Sequence, residues 1–233
     1  QDELNHVARV TEMGQFSAAL AHELNQPLAA IMNYMNVAKR LLAMPGSEAK
    51  TQEALAKAGE QAQRAGQIIR RLRDFVEKRD GKRTAENINA IAEDAIALGL
   101  VGAKAADIKV RTAFAPHSPP VLVDRVQIQQ VLVNLLRNAS EAMAGLPRRE
   151  LTITTADIDG KAVDVAVADT GPGIPDEVAK QLFKPFVTTK PGGMGIGLAI
   201  SQSIIEAHGG HLRMTPNSGG GTVFRFRLPA AAE

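Results

Sequence analysis

Seven apolar residues spaced alternately three and four apart, Leu55, Ala58, Ala62, Ala65, Ile69, Leu72 and Val76, restrict the fold of this chain more than any other feature. That spacing draws one stripe along a helix and is the seam of a coiled coil or four-helix bundle. An earlier stretch, Met13, Ser17, Leu20, Leu24, Leu28, Ile31, Met35, Ala38 and Leu42, follows a similar rule with a slip at Pro27, and Pro45-Gly46-Ser47 reads as the turn between the two. One helical hairpin is too thin to enclose a core, so burying both seams calls for a second hairpin, most simply from an identical chain. The spacing therefore predicts a homodimer. No capping signal opens the first helix and Leu4, Val7 and Val10 are already in stride. It is expected to continue upstream, as the connector from a further N-terminal module or as a frayed natural end.

The pattern changes near residue 83, which gives an expected division into domains 1–83 and 84–233. Beyond it, helical stripes run through Ile88, Ile91, Ala92, Ala95 and Ile96, and through Ile128, Val131, Leu132, Leu135, Leu136, Ala139, Ala142 and Met143. Strand signals cover 108–114, 151–155, 163–168 and 223–228, the last alternating Phe224, Phe226 and Leu228 with Arg225 and Arg227. A helix from Leu198 to His208 stops at Gly209-Gly210. The expected architecture is an α helical hairpin followed by an α+β sandwich, a mixed sheet covered by helices.

Three glycine-bearing segments lie in this second part: Asp169-Thr170-Gly171-Pro172-Gly173, Gly193-Met194-Gly195-Ile196-Gly197 and Gly219-Gly220-Gly221-Thr222. Glycine lets a backbone approach a ligand closely, so such loops beside acid and amide groups suggest a nucleotide held by main chain. Asp169 ends an alternating strand, where its carboxylate could accept an amino hydrogen from adenine or simply make a turn. The glycines from 192 to 197 precede the helix beginning near Leu198 and offer amide groups to phosphates. Asn134 and Asn138, four apart on one helix face, are either polar rim residues or oxygen ligands for Mg2+. Between these loops, Pro175, Phe183, Pro185, Phe186 and Thr188-Thr189-Lys190 read as a mobile lid, from which Lys190 either reaches phosphate or stays a surface lysine.

A second site lies in the first helix, at His22-Glu23-Leu24-Asn25-Gln26-Pro27. His22 is two residues past the seam position Leu20 and so faces outward, as a group that receives and donates phosphoryl must. Imidazole is partly neutral and nucleophilic at physiological pH, and Glu23 can take its proton. Pro27 has no amide hydrogen for the carbonyl of Glu23 and loosens the helix just beyond the histidine. His6, His117, His208 and His211 read as surface or strand-end residues.

These motifs together resemble the transmitter part of bacterial two-component sensor histidine kinases, over almost the whole chain. Residues 22–27 resemble the family's H box, 130–143 its N box, 169–173 its G1 box, 183–186 its F box and 193–197 its G2 box. The run His-Glu-Leu-Asn-Gln-Pro-Leu is similar to FixL-type kinases. The resemblance implies a dimerisation and phosphotransfer hairpin and a Bergerat-type (GHKL) ATP-binding domain. His22 would take the γ-phosphoryl group of ATP and pass it to an aspartate of a response regulator, with Glu23 as general base and Gln26 placed to orient water if the protein is also a phosphatase. Asn134 and Asn138 would hold phosphates, with Asn138 on Mg2+, while Asp169 would read adenine. The rest of the implied ATP site is Gly171, Gly173, Ile174, Phe186, Thr189, Lys190, Gly193, Gly195, Gly197, Leu198 and Thr222.

One departure separates the chain from relatives of the same fold. Gyrase, Hsp90 and MutL-like ATPases carry a water-activating glutamate four residues before the magnesium-binding asparagine, and here that position is Asn134. ATP should therefore survive until His22 arrives. The competing readings are a GHKL-type ATPase or conformational switch without phosphohistidine, and a nucleotide-binding dimerisation scaffold without catalysis.

The rest of the composition narrows the partners. Formal charge is 27 − 25 = +2, and seven Phe and one Tyr are the only aromatic residues, so neither a strong phosphate-attracting field nor a base-stacking platform exists for nucleic acid. A local excess, Arg70, Arg71, Arg73, Lys78, Arg79, Lys82 and Arg83, either attracts an acidic protein or solvates a helix end. No run of about 18 apolar residues could span a membrane. With no export signal and no cysteine, the expected location is cytoplasmic.

Overall fold

The apolar columns of the N-terminal part do form a helical hairpin. In the computed structural model, which describes residues 24–76, 82–100, 107–185, 187–188 and 195–231, helix α1 runs through residues 24–42 and α2 spans Glu48–Val76. Gly46, at φ +73°, makes the turn, and Thr51 ties the start of α2 by donating its hydroxyl to the Ser47 carbonyl at 2.9 Å. The inner face of the hairpin differs from the expected seams. Thr51, Ala54, Ala58, Ala65 and Ile68 of α2 are buried with Pro27 and Ala38 of α1, whereas Leu55, Ala62 and Ile69, and Leu28, Met35 and Leu42, stand exposed. Each exposed set recurs every seven residues. Two helices present one seam to each other, so the second column of each expected stripe faces outward in a lone chain.

The chain divides into two compact units, Gln1–Arg79 and Asp80–Glu233. In the second, strand β1 (Thr84–Glu86) pairs antiparallel with β3 (Val121–Val123) in a small ribbon. The main sheet comprises β2 (Lys109–Ala113), β4 (Glu150–Ile158), β5 (Ala162–Asp169), β6 (His211–Pro216) and β7 (Thr222–Pro229), in the order β2-β4-β5-β7-β6. Among the described strands only the β2–β4 pair is parallel. Helices α3 (Ile88–Gly99), α4 (Arg125–Ala142) and α6 (Gly197–Ala207) bury their apolar stripes with one side of this sheet: Ile91, Leu132, Leu135, Ile205, Val165 and Phe226 lie in one core. This is the α/β sandwich expected from the sequence.

Three short strands escaped the sequence pattern. β1 and β3 have only three residues each, and β6 alternates polar His211, Arg213 and Thr215 with Leu212 and Met214. The supposed lid also proves partly anchored. A single turn of helix, α5 (Asp176–Ala179), leads to buried Leu182, and Phe183 packs against the core.

His208 corrects the expectation of a surface residue. It is buried; its Nδ1 lies 2.8 Å from the Ile204 carbonyl and its Nε2 accepts the Asp124 amide hydrogen at 3.1 Å. A carbonyl can only accept, so the neutral Nδ1–H tautomer alone satisfies both contacts. Burial holds its pKa below the usual histidine range; the Ile204 carbonyl and Asp124 act the other way, while nearby Arg83 adds to the lowering. Arg83 itself donates to the Ala207 carbonyl at the end of α6, at 2.7 Å.

Candidate nucleotide-binding site

The end of the central strand β5 is where the glycine segments converge. Asp169 is its last residue and is 3% exposed. Its Oδ1 accepts the amide hydrogens of Gly171 at 2.8 Å and Thr222 at 3.2 Å, so the first and last glycine segments meet on one carboxylate. Asn217, unnoticed in the sequence, donates its side-chain amide to the Asp169 carbonyl at 2.7 Å. Gly221 has φ +102°, and a Cβ there would strike the Asp169 carbonyl, so both backbone conformation and closeness demand glycine. Gly173 takes φ +78° facing the Gly221 carbonyl, and Ile174 packs against the core.

The three long helices among the described residues of this unit begin differently. Asn87 caps α3 by accepting from Asn89 N at 2.9 Å, and Asp124 caps α4 by accepting from Val126 N and Gln127 N at 2.9 and 3.2 Å. At α6 the N-cap is Ile196, a buried apolar residue with no side-chain bond to the first turn. A helix start without a side-chain acceptor keeps its amide groups and partial positive charge available to an anion. Gly195, at φ +65°, precedes it, and Leu198 turns toward the core.

Asn134, on α4, links the helix to this start. Its Nδ2 donates to Ser201 Oγ at 2.9 Å, and Ser201 Oγ donates to the Gly197 carbonyl at 3.0 Å. A Cβ on Gly197 would stand 2.6 Å from Asn134 Oδ1, so only glycine lets α6 come this close. Asn138 lies one turn further along α4 and, like Asn134, is half-buried. Thus Asn134, Gly195, Gly197 and Leu198 gather at the α4–α6 contact, and Asp169, Gly171, Gly173 and Thr222 gather at the end of β5. Gln26 is an exposed residue of α1, in the other unit. His22, Glu23, Phe186, Thr189, Lys190 and Gly193 lie outside the described residues, as do Lys78 and Arg79.

The model of the "Histidine kinase-, DNA gyrase B-, and HSP90-like ATPase" family matches residues 123–232, and that of the "His Kinase A (phospho-acceptor) domain" matches residues 12–81. The solved catalytic domain of the histidine kinase ThkA is 33% identical, with TM-score 0.58, over 64% of this chain and 99% of that one. The chain belongs to the sensor histidine kinases. Within that family it is FixL-like: the sensor protein FixL of Bradyrhizobium diazoefficiens is 53% identical over 100% of this chain and 46% of its own length. The C4-dicarboxylate transport sensor DctS of Rhodobacter capsulatus is 44% identical over 100% of this chain and 36% of its own. The chain thus spans less than half the length of these two relatives. ThkA in complex with the response regulator TrrA is similar to 99% of this histidine kinase region, at TM-score 0.77 and 27% identity. No helix among the described residues is long and apolar enough to cross a membrane.

Proposed function

We propose that this chain is a transmitter that moves the γ-phosphoryl group of ATP to His22 and then to an aspartate of a response regulator. The observation that carries the reading is the uncapped start of α6 and a buried carboxylate on the same unit, with the phospho-acceptor family model running across His22. In this mechanism the adenine amino group donates to Asp169, whose Oδ1 is already held in place by two backbone amides. The amide groups at Gly195 to Leu198 receive the phosphates. Glu23 takes the imidazole proton as His22 attacks phosphorus in line, and the bond to the β-phosphate oxygen breaks to release ADP. The phosphoryl group then passes to the regulator's carboxylate.

A divalent cation fits the site through its donor chemistry. Among the described residues no cluster of three carboxylate, imidazole or thiolate ligands exists. Asn138 and Asn134 instead offer amide oxygens, which suit a hard Mg2+ that shares phosphate oxygens and keeps water. Such an ion supplies neutralisation of charge on the phosphates. The protein's part is to hold the polyphosphate straight and keep water from being activated. Where hydrolysing relatives place a glutamate, this chain holds an amide whose nitrogen is committed to Ser201, which disfavours the ATPase reading.

The exposed columns Leu28, Met35, Leu42 and Leu55, Ala62, Ile69 fit a four-helix bundle made with a second copy, which deepens the dimerisation expected of a phospho-acceptor hairpin. Incubation with γ-labelled ATP and Mg2+ tests the whole reading. Acid-labile, base-stable label that disappears in His22→Ala and persists in His211→Ala is the expected result. Unlabelled protein that slowly hydrolyses ATP would instead make it a switch ATPase.

A further inference from the structure

Ser201 is 1% exposed, deeply buried for a hydroxyl, and it sits four residues inside α6 with both of its bonds directed at the nucleotide end. Those bonds determine each other. A hydroxyl carries one proton, and the Gly197 carbonyl, 3.0 Å away, can only accept; the Ser201 proton therefore goes there. Ser201 Oγ is left to accept from Asn134, 2.9 Å away, and only the amide nitrogen of Asn134 can donate. The amide thus has one orientation, with its nitrogen toward Ser201 and its oxygen beside the Cα of Gly197.

We infer that Ser201 is a positioning residue that keeps the oxygen of Asn134, rather than its NH2 group, facing the cation and phosphates. This rests on the nucleotide reading above but goes beyond it, because that reading gives Ser201 no part. Without that acceptor the amide is released to turn over. Turned, it would present N–H groups where a hard cation needs oxygen.

The test separates cation coupling from nucleotide binding as such. Affinity for a fluorescent ATP analogue is measured on the full chain in EDTA and across a Mg2+ titration. Ser201→Ala is expected to bind the analogue in EDTA like wild type, while the Mg2+ midpoint rises roughly tenfold, the scale of one lost hydrogen bond. Asn134→Asp, which offers oxygen at both ends, provides the second arm: adding Ser201→Ala to it should leave the midpoint unchanged, because orientation no longer matters. If Ser201→Ala does not fold, Ser201→Cys takes its place, since a thiol is a poor partner of similar shape.

Equal weakening with and without Mg2+ would overturn the inference by assigning Ser201 to the packing of α6. So would a Mg2+ midpoint that stays within about twofold, on the same hydrogen-bond scale, or a Ser201→Ala effect that persists beside Asp at 134. A wild-type chain that bound no nucleotide would remove the kinase reading itself, a failure distinct from these.

Discussion

Helix α4 has 18 residues and buries Ile128, Val131, Leu132, Leu135, Leu136 and Ala139; helix α2 has 29 residues, yet its buried side chains among those described are Thr51, Ala54, Ala58, Ala65 and Ile68. The nucleotide unit completes its core within one chain, with large residues interlocked against a sheet. The hairpin fills its inner face mostly with small residues and leaves its Leu and Ile columns outside. Stability of the first is a property of the chain; on the proposed dimer, stability of the second belongs to a pair of chains and so varies with concentration.

The largest effect expected inside the self-contained unit comes from Gly221→Ala. Positive φ and the collision with the Asp169 carbonyl together should lower the unfolding free energy of this unit by roughly 3 kcal/mol and abolish nucleotide binding. Calorimetry should find that loss at every protein concentration. Leu55→Asp with Ile69→Asp tests the opposite case. If each of these side chains is buried between copies, its loss removes about 1.5–3 kcal/mol, and two-fold symmetry counts it twice. Sedimentation should show monomers while the thermal transition of the nucleotide unit stays in place. A doubly substituted protein that still sediments as a dimer would break the comparison.

His208→Ala should cost the nucleotide unit about 2 kcal/mol, as expected for a buried amide left without its acceptor, and nothing in the hairpin. Its pH signature is the sharper observation. Burial favours the neutral ring in the fold, so the unfolded chain takes up a proton first as pH falls. The stabilisation is complete above about pH 6.5, the ordinary histidine value, and declines as pH drops toward the depressed folded value. Wild type should show that decline in calorimetry and His208→Ala should lack this part of it.

The smallest contrast is between two ion pairs. Asp164, on β5, is buried and accepts from Arg227 Nε at 2.6 Å and Nη2 at 3.1 Å; that guanidinium, more than Arg225 beside it, holds the carboxyl below its usual range. Glu53 and Lys57 form an exposed pair one turn apart on α2, at 2.7 Å. Asp164→Asn should shift the melting of the nucleotide unit measurably, and Glu53→Ala should leave the hairpin as it was.

Much of this was legible because periodicity and glycine act locally. The stripe from Ile128 to Met143 and the alternation of Phe224, Phe226 and Leu228 each need only neighbours on the same element to be recognised. The glycine of the last segment marked its loop because positive φ is a property of single residues. What stayed hidden depends on partners distant in sequence. Asn134 meets Ser201 across 67 positions, and the Asp124 amide meets His208 across 84, so no spacing could reveal either. The Gly197–Ser201 interval of one helical turn was the only available hint. The hairpin seam reads as one surface because a sequence gives the width of an apolar stripe but not how many neighbours will share it.

The bond from Thr222 to Asp169 spans 53 residues, and it comes from the first residue of the last strand. The cradle around Asp169 cannot close until β7 has been made and has paired with β5. During synthesis the hairpin is made before the strand that completes the cradle. On the proposed mechanism an unfinished chain therefore carries His22 well before it carries a finished place for ATP, and a chain cut short before residue 222 would keep the acceptor while losing the donor's seat.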